Sequence, residues 1–418
     1  MRPRHLAAPA DPAWRAACRR RQAAAQEVEI TASFIPDIRN PTRNEFVNTT
    51  PNAPLCFQRP DACGHRPGVG IPLEVDFVPA GSLEYLRDLR LRFPDGRLGG
   101  PYKVKVTHTE TGQTAILDWA ATMVAGTYIL PRSIREIIPD AGGQSNEQLH
   151  AQLWDRSWFY APEACGFSSY GIAGDTDYSW AWQLNGNHVE CGKIFQHELE
   201  SMRIRDLVMA YQLTAPEPFT MANGTYTGKL WIITGNAGEF WFGGDSVANM
   251  PMLGLNFTLE VNHYFDVRFP AGSSTLWLQP EGGWQRWVDY HERPSALVND
   301  LRFDVTTSTG FTVQARCGVQ SGNDCGLRRA DDGSVVPMQI DLSVPGMAER
   351  NSARPVRRTP VPTQHGGQPA LDLEVHEFIV NRPSNLRFMV QGQPLDTMLD
   401  APGVEWSGDV TVVFDADP

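Results

Sequence analysis

Cysteine spacing is the first chemistry the chain offers. It carries seven: Cys18, Cys56, Cys63, Cys165, Cys191, Cys317 and Cys325. With Cys18 set aside, the other six fall into three neighbouring pairs, 56 with 63, 165 with 191 and 317 with 325. Zinc sites draw on CxxC-like pairs with histidines nearby, and none of these spacings supplies one. Oxidised pairs in an exported protein are the expectation, with buried free thiols as the alternative. Spacing alone does not fix which sulfur bonds to which.

The remaining reactive side chains form no catalytic set. His197-Glu198 lacks the second histidine of a metalloprotease helix. His188, Glu190 and Cys191 are close in sequence, but a strand puts 188 and 190 on one face without making them a site. No Gly-rich phosphate cradle follows a strand. Paired carboxylates for glycoside hydrolysis would be sought at Asp175 and Asp177, beside Tyr178 and Trp180. The expectation is a protein that is not an enzyme and uses no cofactor or metal.

Aromatic residues crowd 154–182: Trp154, Trp158, Phe159, Tyr160, Tyr170, Tyr178, Trp180 and Trp182. Aromatic faces stack on sugars, so Trp154, Trp158, Tyr178 and Trp180 are candidate receptor contacts. The alternation of Tyr178, Trp180 and Trp182 equally fits one buried face of a strand. Both readings stay open at this stage.

These residues must be positioned by β-structure. Over 418 residues the chain is 41% hydrophobic and 20% charged, with 37 glycines and 32 prolines. That balance favours a globular fold of many short strands joined by turns. The net charge of -12 argues against a nucleic-acid surface. Residues 1–25 are arginine-rich, and Ala23-Ala24-Ala25 precedes Gln26 like a signal-peptidase site. The apolar run of about 7–15 residues that a signal peptide needs is missing. Residues 1–25 are therefore read as the product of a mis-set start codon or as an atypical leader, with the mature protein starting near Gln26. The longest apolar run, 119–130, is too short to cross a membrane as a helix.

Period-2 alternation marks strands at 28–34, 73–77, 86–93, 102–108, 114–119, 207–213 and 225–234. An Asp95-Gly96 turn and a hairpin turn at 235–238 punctuate them, and 134–138 and 146–154 read as short helices. Further strands are expected at 275–279, 301–306, 311–315, 338–344, 371–380 and 386–390, and 347–369 reads as a long mobile loop. The run 255–269 alternates for too long to be one sandwich strand. Two strands in different domains, with the chain crossing near 262–264, solve this. The last run, 408–416, carries Val410, Val412 and Phe414 on one face. It ends close to the last residue, so its edge is expected to be covered by another molecule.

Several segments in order resemble the CfaE/CblD-type tip adhesins of class 5 (alpha) chaperone–usher pili. They are Gly224-Thr225-Tyr226-Thr227-Gly228, Leu255-Asn256-Phe257-Thr258-Leu259-Glu260-Val261, Phe265-Asp266-Val267-Arg268-Phe269-Pro270, Leu278-Gln279-Pro280-Glu281-Gly282-Gly283-Trp284, and the closing stretch from Trp406 to Asp415. The likeness spans roughly 26–418. It implies two immunoglobulin-like β-sandwich domains in tandem, an adhesin domain over 26–263 and a pilin domain over 264–418 with an incomplete sandwich. It also implies a pilus tip adhesin and assembly initiator, exported through the periplasm to the cell surface. The implied partners are a periplasmic chaperone, an outer-membrane usher, a major pilin subunit and a host or surface receptor, glycan included. Val410, Val412 and Phe414 would border the groove that takes the chaperone or donor strand. The arginine cluster with which some relatives bind acidic sugars has no counterpart after Ile233, where Thr234-Gly235-Asn236-Ala237-Gly238 follows. A minor pilin initiator without a receptor and a secreted β-sandwich polysaccharide hydrolase are the alternatives.

Overall fold

A computed structural model describes residues 26–77, 88–94, 101–138, 142–162, 165–186, 191–235, 238–243 and 246–416. Residues 1–25, Cys18, the Asp95-Gly96 turn, His188, Glu190, the centre of the 235–238 turn and the start of the 86–93 strand lie outside this description. The protein is all-β, arranged as two sandwich units in tandem, each around its own core.

Alternation builds the first unit. In Gln26–Phe34 the side chains of Val28, Ile30, Ala32 and Phe34 turn inward and are buried. This strand pairs parallel with Met252–Val261, whose Leu253, Leu255, Phe257, Leu259 and Val261 fill the same core. The main sheet runs Ser246–Ala248, Val75–Phe77, Met202–Thr214, Thr114–Ile129, Tyr102–His108, Gly224–Ile233, Met252–Val261, Gln26–Phe34, Val47–Asn48. Thr114–Ile129 is its spine, pairing with Tyr102–His108 at one end and with Met202–Thr214 and Asp177–Leu184 farther along. The apolar run 119–130 is thus a strand covered on both faces. Trp119 and Val124 point into the main core, while Met123 and Ala125 pack under the Cys56–Cys63 loop with Ala181 and Ala210. Two short helices stand where the sequence placed them, Ile134–Ile137 and Asn146–Leu153. The second is started by a capping box between Ser145 and Gln148.

The chain leaves the first unit at 262–264. Met252–Val261 and Phe265–Arg268 belong to different sheets, so the long alternating run is two strands. His263 sits at the crossing: one ring nitrogen lies 2.9 Å from the Met221 carbonyl, the other 3.2 Å from Ser308 Oγ.

In the second unit one sheet runs Phe265–Arg268, Ala296–Thr307, Ile379–Gln391, Val335–Ser343, Asp324–Arg329, Gln320–Ser321. The other runs Met347–Glu349, Leu371–Val375, Phe311–Cys317, Val410–Asp415. Three expectations are corrected here. Only Gln279–Pro280 of the expected 275–279 strand pairs with the sheet. The run 371–380 is broken between Leu371–Val375 and Ile379–Gln391, because the two halves serve opposite sheets. The 347–369 segment is pinned rather than mobile, with Met347, Val356 and Val361 buried in the core. Their irregular spacing hides this from any periodic reading.

Candidate functional site

Val410–Asp415 pairs antiparallel with Phe311–Cys317, setting Val410 opposite Cys317, Val412 opposite Ala315 and Phe414 opposite Val313. Among the described residues no strand lies along its other edge. The consequence shows in burial. Phe311, Val313 and Ala315 on the neighbouring strand are 2% exposed or less, whereas Val410, Val412 and Phe414 are only half-buried. A closed sandwich would cover both rows alike.

Beside this edge lies a cavity of ≈ 1020 Å³. Its apolar lining comes from both sheets: Leu297, Leu301, Leu386 and Phe388 from one, Val410 and Val412 from the other. Four tryptophans, Trp277, Trp284, Trp287 and Trp406, also line it. Phe414 does not line the cavity. Its ring packs 5.6 Å from Phe303 and 6.1 Å from both Phe269 and Phe311, closing one end. The missing edge explains why 273–278 are not a strand. They leave the sheet to line the cavity, and between the stretches of Ala296–Thr307 that pair with Phe265–Arg268 and Gln279–Pro280 the Asn299 side chain donates from Nδ2 to the Trp277 carbonyl at 2.9 Å. What this arrangement can do is accept an extended segment: its backbone would pair with the open edge and its alternate side chains would enter the cavity.

The candidate receptor residues lie elsewhere, inside the first core. Trp154 is 1% exposed and Trp158, Tyr178 and Trp180 are 0%. Trp158 packs against Trp180 and Trp182 at 5.1 and 5.0 Å, Trp154 lies 4.2 Å from Phe195, and Tyr178 stacks on Tyr128. None of these four rings is exposed at the surface, and the core reading is the one their burial fits. Two of the four polar edges are answered internally, Tyr178 donating to Glu147 Oε1 at 3.0 Å and Trp154 Nε1 to the Tyr128 hydroxyl at 3.2 Å, while the buried indole N–H groups of Trp158 and Trp180 have no hydrogen-bond partner among the described residues.

Three disulfides join Cys56 to Cys63, Cys165 to Cys191 and Cys317 to Cys325. The second ties the start of Gly166–Ala173 to Cys191–Ile194. The third ties the Val410 partner strand to Asp324–Arg329. Asp175 accepts from Ser133 Oγ at 2.8 Å. Among the described residues no group of three or more His, Cys, Asp or Glu is placed to hold a metal.

Sequence reasoning passed over Lys193. It shares a strand face with Cys191, which points it inward, and it is 1% exposed. Its Nζ donates to the carbonyls of Arg156, Ser157 and Tyr160 at 3.2, 3.0 and 2.7 Å.

No protein-family model and no curated protein matches the chain. Solved structures align across 94% of it at low identity. One is the chaperone–tip adhesin complex of CFA/I fimbriae, with 11% identity, 97% of that chain covered and a TM-score of 0.25. Another is a mutant of CfaE, the CFA/I adhesin of enterotoxigenic E. coli, with 10% identity, 92% covered and a TM-score of 0.23. A third is the CsuC–CsuE chaperone–tip adhesion subunit pre-assembly complex of the archaic chaperone-usher Csu pili of Acinetobacter baumannii, with 8% identity, 98% covered and a TM-score of 0.20. All three are chaperone–usher tip adhesins or their complexes.

Proposed function

We propose that the chain is a pilus tip adhesin and assembly initiator, with an adhesin domain over 26–263 and a pilin domain over 264–418 that takes a β-strand from another polypeptide. One observation carries this reading: the Val410–Asp415 strand stands at the open edge of its sheet beside a cavity to which both sheets contribute apolar side chains. Such an edge left bare is an aggregation hazard, and a donated strand removes it by pairing its backbone and burying the half-exposed Val410, Val412 and Phe414. Full burial of such a side chain is worth about 1.5–3 kcal/mol, so completing the burial of each half-covered one adds roughly half of that. Strand capture and completion of the fold are then the same event.

In this reading a periplasmic chaperone supplies the first strand, an outer-membrane usher receives the complex and a pilin subunit supplies the final strand. The adhesin domain contacts a host or surface receptor at the cell surface. Co-expression with a chaperone from a chaperone–usher operon should raise soluble protein and yield a co-purifying complex. Val412→Asp places a charge against the incoming strand and should abolish that complex. Equal capture of the variant, or a chain that is soluble and stable without any chaperone, would count against the proposal.

A further inference from the structure

The Lys193 ammonium is buried with no carboxylate bonded to it, and it is surrounded instead by three carbonyls of one loop. The face of Trp182 lies 5.6 Å away. A buried charge is costly unless fixed dipoles replace water. Here those dipoles belong to a single short segment, so its backbone is held rigidly around the ammonium. A neutral amine has two N–H groups and cannot serve three acceptors. Other contacts reinforce the same segment. The Phe159 amide donates to Ser157 Oγ at 3.1 Å, Ser157 Oγ donates to Glu147 at 2.7 Å, and the Ala161 amide donates to Ser168 Oγ at 3.0 Å. The Phe159 ring rests over Gly171, where a Cβ would come within 2.9 Å of it.

A loop anchored this firmly nevertheless shows two rings to solvent. Phe159 is 39% exposed and Tyr160 52%, with the rings edge to face at 5.2 Å. The Arg156 guanidinium lies 5.7 Å from the Tyr160 ring, and the exposed Asp155 and Glu147 belong to the same neighbourhood. We propose that Phe159 and Tyr160, flanked by Arg156 and Asp155 and held in place by Lys193, form a carbohydrate-contact site on the first unit. The proposal rests on reading 26–263 as an adhesin domain. A pyranose offers an apolar C–H face to the rings and hydroxyls to charged groups of both signs. A wholly apolar partner would strip water from Arg156 and Asp155 and return nothing. Rigid presentation lowers the ordering cost of binding, which is what the buried ammonium secures.

The test uses the full chain on a printed panel of immobilised pyranose oligosaccharides, with phenyl-coated beads as a parallel probe. Phe159→Ala and Tyr160→Ala should each lower the glycan signal at least tenfold at a temperature where both variants remain folded, with the thermal midpoint of Tyr160→Ala unmoved. Because Lys193→Met threatens folding, the role of Lys193 is read in the unmodified chain through pH. Burial depresses its amine to about 8, with Asp155 raising it and Arg156 lowering it. Glycan binding should therefore fall several-fold between pH 7 and 9.5, as the ammonium loses its proton and one of its three carbonyl contacts. Binding that persists in both ring variants would overturn the site while leaving the adhesin reading intact. Variants that lose bead binding while keeping the parent's glycan signal would overturn the carbohydrate assignment. An unmodified chain that binds no glycan on the panel would sink both this site and a glycan receptor for the adhesin domain.

Discussion

His150 shows how a single side chain ties stability to pH. It is 1% exposed, with Nδ1 2.7 Å from the Tyr128 hydroxyl and Nε2 3.1 Å from the Gly174 carbonyl. Trp154 already donates to the Tyr128 oxygen, so the consistent assignment has Tyr128 donating to Nδ1 and Nε2–H donating to Gly174. A proton on Nδ1 would face the hydroxyl proton of Tyr128. Burial accordingly lowers the pKa of His150 below its ordinary 6.5, against smaller upward pulls from Gly174, Glu147, Asp177 and Asp175. A depressed value means the unfolded chain binds the proton first. Stability is complete above about pH 6.5 and is lost as pH falls toward the lowered folded value. Unfolding followed by near-UV signal should weaken by on the order of 1 kcal/mol between pH 6.5 and 5, and His150→Gln should flatten that slope. A variant with the parent's slope would show that His150 is not the titrating group. Its partners could not be read from sequence, since Tyr128 and Gly174 meet it only after three elements pack together.

Strands were legible one at a time because their period is local. The alternation at 102–108 and 225–234 gave Tyr102–His108 and Gly224–Ile233 nearly to the residue. Whether an alternating face looks inward or outward is not local, and Trp154, Trp158, Tyr178 and Trp180 turned out to be core. The short Gly68–Ile71 and Asp324–Arg329 strands were missed because both are glycine-bearing and too brief to show a period. Disulfides are the covalent links between elements, and their value to the fold should follow the loop each one closes. The sequence separations are 26 for Cys165–Cys191 and 7 and 8 for the other two. Paired Cys→Ser replacement should cost about 3.5 kcal/mol for the first and about 2.5 kcal/mol for either of the others, read by urea denaturation. An inverted order would mean that native-state effects outweigh chain entropy in these loops.

Across the whole molecule, two hydrophobic cores are joined by a chain crossing of a few residues. The cores differ in completeness: the inward residues of the second unit's edge strand remain half-exposed. Calorimetry should resolve two transitions, the lower belonging to the C-terminal unit. Appending a complementary strand through a flexible linker should raise that lower transition by several degrees and leave the upper one in place, since only the native state of the second unit binds the strand. If the appended strand moves neither transition, the cavity is not a strand acceptor.

Sequence by itself determined the all-β class, the short helices, the point where the alternating run divides and the apolar face of the last strand. Each of these depends on residue type and spacing within a few positions, which is where side-chain periodicity acts. Tertiary structure alone decided which aromatics are core, where Lys193 places its charge, how 347–369 is pinned and that the last strand faces an open cavity. Those outcomes depend on which segments distant in sequence fold against one another, and no local pattern encodes the neighbours that a side chain will finally meet.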